Sequence, residues 1–166
     1  YNAWNIGIKN STTEYITNWN IDDLRHPLNT KLKYDFLERN PEYSLAYNWY
    51  VATQDMNEDF YNIDMDNKSY LKYPDNFHSV VLENCYAGPD PVWKKSLHNT
   101  VGYFDYENFN TIGDWEVWIR FAKAGFKFKL IPEVLCIYLD HNQTVSQRQH
   151  SKLNEEKQRL GKKYYG

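Results

Sequence analysis

At 166 residues the chain is long enough for one domain with a real core. Nineteen Lys and Arg against twenty-two Asp and Glu leave it mildly acidic, at net charge −3, which argues against a nucleic-acid or anionic-membrane footprint. No apolar run approaches a membrane span, and Cys85 and Cys136 lack metal-ligand or redox spacing, so a reducing, cytoplasmic setting is expected.

Aromatic content is the unusual number: fifteen Tyr, six Trp and eight Phe make up 17% of the chain. Such rings dominate core burial, and their faces also suit sugar rings. Tyr1 to Lys9 sets Ala3, Ile6 and Gly7 at near-helical spacing without a visible N-cap, and Asn10-Ser11-Thr12-Thr13 is a polar turn. Glu14 to Ile21 then reads as a strand, with Tyr15, Thr17, Trp19 and Ile21 on one face.

That strand runs into two adjacent carboxylates, Asp22 and Asp23, and Pro27 follows as the opening residue of a helix. Acids at the carboxyl end of a strand stand where open α/β sheets bind ligands. Adjacent aspartates there can hold a hard divalent cation whose other sites go to phosphate oxygens. The same pair also serves as a plain turn and helix cap.

Leu28, Leu32 and Phe36, joined by Leu37, predict an amphipathic helix that Asn40-Pro41 stops. Tyr43 to Val51 alternates large apolar with smaller or polar residues and predicts a strand. Thr53 to Asn76 is rich in Asp and Asn without a period. Asp64-Met65-Asp66-Asn67 lacks the glycine and terminal glutamate of an EF-hand loop, so a solvated excursion is expected. Val80 to Asn84 is read as a short strand, Ala87 to Pro91 as a turn, Val92 to His98 as a short helix, and Gly102 to Asp105 as a loop.

Trp115, Trp118, Ile119 and Ala122 are spaced i, i+3, i+4, i+7 and predict a helix that Gly125 ends. Asp114 falls in its first turn, where the helix dipole favours a carboxylate and where a general base can be aimed into a cleft. Phe126 to Leu139 reads as one or two strands around Ile131-Pro132, His141 lies in the loop beyond, and Ser146 to Tyr165 as a polar helix anchored by Leu153 and Leu160. Residues 1–145 thus form the domain, and 146–166 a tail that packs on a surface or on a partner, including a further copy of the chain.

Several of these stretches, in this order, resemble the nucleotide-sugar-dependent glycosyltransferases of family 2, with the GT-A fold. They are Ala3 to Ile8, Glu14 through Asp22-Asp23, Gly88 through Leu97, Gly102-Tyr103-Phe104-Asp105, Gly113 through Arg120, and Ile131-Pro132 followed by Tyr138 and His141. The resemblance implies a Rossmann-like mixed sheet flanked by helices. It sets Tyr1 near the start of the second half of such a domain, leaving the nucleobase-binding strands without a counterpart.

It also implies roles. Asn20, Asp22 and Asp23 would meet the donor ribose and the Mn2+ or Mg2+ on its diphosphate, with Asp23 the first choice for the metal and His141 a further candidate. Asp114 would be the base that deprotonates the acceptor hydroxyl, and Trp115 and Trp93 would line the acceptor cleft. The implied partners are a nucleotide-sugar donor, UDP-sugar first, and a glycan or other hydroxyl acceptor. Asn20 and Trp4 depart from the Asp and Arg the family commonly places there. Two rivals stay open: a non-catalytic carbohydrate-binding module derived from the same fold, and an assembly domain using the C-terminal helix.

Overall fold

The computed structural model describes residues 1–66, 70–71, 75, 81–140 and 149–165. Its elements are α1 (Asn2–Asn10), β1 (Tyr15–Thr17), β2 (Leu24–Arg25), α2 (Asn29–Arg39), β3 (Tyr43–Thr53), β4 (Tyr70–Leu71), β5 (Val92–Lys94), α3 (Leu97–Val101), α4 (Gly113–Lys123), β6 (Lys127–Leu139) and α5 (His150–Tyr165). The long strands β3 and β6 pair in parallel from Tyr43↔Lys127 to Thr53↔Leu139, and the full order is β1-β5-β3-β6-β2 with β4 also on β3. This is a mixed α/β sheet flanked by helices.

β5 is antiparallel to both β1 and β3, so β1, β3 and β6 all point the same way. Their carboxyl ends therefore lie at one end of the sheet. The chain between β1 and β2 crosses that end from one outer strand to the other. Leu45, Ala46 and Tyr47 on β3 are all fully buried, so the central strand is covered on both faces rather than alternating in and out.

The opening strand is shorter than its pattern. Only Tyr15–Thr17 pairs, Ile21 is fully exposed, and Asp22-Asp23 lead into β2 rather than directly into a helix. Pro27 stands two residues ahead of Asn29, outside α2. The buried stripe of α2 is also shifted by one residue: Asn29, Lys33 and Leu37 face inward, whereas Leu28 is 48% exposed. The register follows from a buried ion pair. Lys33, at 0% exposure, has its ammonium 3.3 Å from Asp90, and the Asn29 amide donates to that same carboxylate and, at 2.7 Å, to the Leu135 carbonyl.

Val92–Lys94 is a strand where a helix is expected, and the helix begins only at Leu97. Residues 81–84 form turns, not a strand. The expected turn at Ala87 to Pro91, the strand at Tyr43 and the Trp-rich helix all occur as read. The latter runs Gly113–Lys123 and ends before Gly125, whose φ of +86° suits a residue without a Cβ. β6 is a single strand with an irregularity where Asn48↔Ile131 gives way to Trp49↔Val134 around Pro132, which cannot donate to the ladder. The C-terminal helix packs on the domain: Leu160 is 1% exposed and joins the main core with Trp93, Trp115, Trp118 and Phe121.

Candidate active site

Above the carboxyl ends of β1, β3 and β6 opens a cleft of about 540 Å³. Asn18, Asn20, Ile21 and Asp22 line it, and so do Asp114, Asn110 and Thr111. Tyr1, Trp4, Tyr50 and Tyr138 supply aromatic surface, and Cys85 lies near Asp114. Asp22 and Asp114 thus share one cavity although 92 positions separate them in the chain.

Asp114 is held from two sides. The Tyr1 phenol donates to its Oδ1 at 2.7 Å, and the Cys85 thiol donates to Oδ2 at 3.8 Å. Burial raises its pKa above the ordinary carboxylate value, and the Tyr1 hydrogen bond partly opposes that rise. The Tyr1 phenol and Cys85 thiol are themselves pushed well up, by burial first and then by the Asp114 charge. Gly113 makes the contact with Tyr1 feasible. A Cβ there would stand 2.7 Å from the Tyr1 ring, closer than any side chain can approach.

The two adjacent aspartates divide. Asp23 turns inward, at 5% exposure, and both its oxygens are occupied: Oδ1 accepts the Leu139 N–H at 3.1 Å and Oδ2 the Asn20 amide at 2.8 Å. Burial raises its pKa to about 6, against the lowering effect of these two bonds. Asp23 thereby ties the crossing loop to the end of β6, and the cleft-facing acid is Asp22. Asp23, the first choice for the metal by resemblance, thus has both carboxylate oxygens engaged within the protein, and Asp22 lines the cleft.

Arg25 secures the loop's other flank. Its guanidinium donates to Thr17 Oγ1 at 2.8 Å and to the Asn18 carbonyl, and lies 4.4 Å over the Trp19 ring. The Trp19 indole in turn donates to the Asp23 carbonyl at 3.1 Å.

The tryptophans expected at the acceptor side are core residues. Trp93 is 1% exposed and donates to His98 Nε2 at 3.0 Å, and Trp115 donates to the Val81 carbonyl at 2.6 Å. Neither residue lines the cleft, although Trp93 lines a groove that adjoins it. His141 lies outside the described residues. Among the described residues no group of three or more His, Cys, Asp or Glu is placed to hold a metal. No helix among them is long and apolar enough to cross a membrane.

No protein-family model matches the chain, and a search of curated proteins finds no match.

Tyr1, Tyr50, Cys85, Asn110 and Thr111 are among the cleft residues that the sequence patterns do not signal. The patterns around Tyr1 and Tyr50 are those of a helix start and a buried strand, and carry no signal for a shared cavity. A second groove of about 470 Å³ runs between α1 and β1 and shares Trp4 and Asn18 with the cleft.

Proposed function

We propose that the cleft transfers a sugar from a nucleotide diphosphate sugar, UDP-sugar first, to a hydroxyl of a glycan acceptor, with inversion at the anomeric carbon. The reading rests on one observation: Asp22 and Asp114, 92 positions apart in the chain, line one cavity together with several aromatic side chains at the carboxyl end of the sheet. The order of motifs resembling family 2 glycosyltransferases supports it. Burial raises the pKa of Asp114 and so strengthens its ionised form as a base for the acceptor's proton. The acceptor oxygen bonds to the anomeric carbon as the bond to the diphosphate breaks, and its proton goes to Asp114.

The donor set fits Mn2+ or Mg2+: Asp22 offers a hard carboxylate oxygen, and such ions bind through one or two carboxylates plus substrate phosphates. Bound there, the ion would neutralise charge on the departing diphosphate. Tyr50 and Tyr138 provide flat faces for a sugar ring.

The test is Asp114→Asn, assayed for transfer together with donor affinity. Turnover is expected to fall about 10²- to 10⁴-fold with donor binding unchanged. Near wild-type turnover removes Asp114 from the role. The rival, a non-catalytic carbohydrate module, draws on Trp4 in the cleft wall and on Trp19, 53% exposed, beside the adjoining groove. Calorimetry separates the two: donor binding that requires Mn2+ supports the enzyme, and glycan binding indifferent to nucleotide and metal supports the module.

A further inference from the structure

Helix α4 carries Asp114 as its second residue, yet its own N-cap, Ile112, makes no side-chain capping bond. The N–H of that N-cap and the two N–H groups before it are met from far away in sequence. Glu156, midway along α5 and 2% exposed, accepts the Asn110 N–H on Oε1 at 2.9 Å. Its Oε2 accepts the Thr111 and Ile112 N–H groups at 2.8 and 3.1 Å. A carboxylate at this place satisfies the backbone donors that lead into the helix and complements the helix dipole.

The rest of α5 is anchored to the same helix. Glu116, fully buried on α4, accepts from the Arg120 Nε at 2.9 Å, from Lys163 at 2.7 Å and from the Tyr164 phenol at 2.7 Å. Asn110 and Thr111, which Glu156 grips, themselves form part of the cleft wall beside Asp114.

We infer that Glu156 is a positioning residue and that α5 is a working part of the cleft rather than an appended tail. By clamping residues 110–112 it fixes where α4 begins, and so where the Asp114 carboxylate points. The consequence for sugar transfer rests on the proposed function. The geometric consequence does not, because it is read at amides and at a thiol.

The experiment compares Glu156→Gln with wild type by hydrogen exchange, by alkylation of Cys85 with iodoacetamide resolved by mass spectrometry, and by transfer kinetics. Exchange at Asn110, Thr111 and Ile112 is expected to accelerate about tenfold, the equivalent of a lost cap, with β3 and β6 unchanged. Cys85, whose thiol sits 3.8 Å from Asp114, is expected to alkylate several-fold faster. Transfer is expected to lose kcat with donor KM unchanged, since misplacing a base by an ångström is felt in the chemical step.

Tyr164→Phe, which leaves the Glu156 cap intact, is the control and is expected to match wild type in exchange and alkylation. Equal effects from both variants would mean general loosening of α5 and would overturn the inference. So would unchanged exchange at 110–112, or faster exchange without a change at Cys85. If Glu156→Gln does not fold, Glu156→Asp, one methylene shorter, takes its place with the same expectations. A wild-type chain inactive in transfer counts against the proposed function alone, and the amide and thiol readouts still decide the positioning role.

Discussion

The Tyr1 phenol and the Asp114 carboxylate meet at 2.7 Å, so the first turn of α1 and the first turn of α4 are joined at the cleft. The bond favours ionised Asp114 and works against the burial that raises its pKa. Removing it with Tyr1→Phe leaves burial less opposed, and the Asp114 pKa rises further. The acid limb of the kcat/KM profile for transfer is then expected to move to higher pH. A profile superimposable on wild type would contradict this.

Gly113→Ala is expected to break the same contact by steric means. The new methyl would sit 2.7 to 3.1 Å from three atoms of the Tyr1 ring, which must swing away. Overpacking of this kind costs about 1–3 kcal/mol. Urea unfolding should show the loss. In a Tyr1→Ala background Gly113→Ala should cost little further, because the small side chain leaves the space open.

Asp22 and Asp23 are expected to separate in function. Asp22→Asn should weaken Mn2+-dependent UDP-sugar binding by calorimetry, whereas Asp23→Asn should act mainly on stability. The sign at Asp23 follows from its pKa, raised from 3.8 to about 6 on folding. Between those values the folded chain holds a proton that the unfolded chain has lost, so stability declines as pH rises through the window. Asp23→Asn should flatten that decline, whose size is on the order of 1–3 kcal/mol. A pH–stability curve between 4 and 6 that keeps its slope in the variant would refute the assignment.

Asp90 is the shared counter-ion of Lys33 and Arg25, both of whose side chains are taken out of solvent. Asp90→Asn leaves two buried cations without an anion and is expected to cost about 3–5 kcal/mol. Lys33→Met should cost less, because Asp90 keeps Arg25 and the Asn29 amide. Denaturant midpoints of the two variants check the order, and the reverse order would show that the Lys33 ammonium, which also donates to the Asp90 carbonyl, outweighs the carboxylate.

The parts of the fold that were legible are those whose residues obey one period with a stop. Trp115, Trp118, Ile119 and Ala122 before Gly125 are the clearest case. Where a charge replaces an apolar residue in the core, pattern reading slips by one position, as at Lys33 on α2. Val92-Trp93-Lys94 is too short to separate strand from helix by period, and only its pairing with β1 and β3 decides. The aromatic excess was read partly as sugar-binding surface, yet Trp93, Trp115 and Trp118 build the core. That Asp22 and Asp114 line one cleft is signalled in the sequence only by motif order, because nothing local to either residue encodes the other. Glu156 is the same problem in sharper form: a glutamate in a polar helix gives no sign of capping a helix more than forty positions away.

The loop bearing Asn20 and Asp22 begins on one outermost strand and ends on the opposite one. Its span is therefore set by how wide and how twisted the whole sheet is, and a slip of either margin would be transmitted to the cleft mouth even with every residue there intact. Adjusting where Asp22 stands calls for changes at the sheet's borders, where β1 and β2 hold the two ends of its loop.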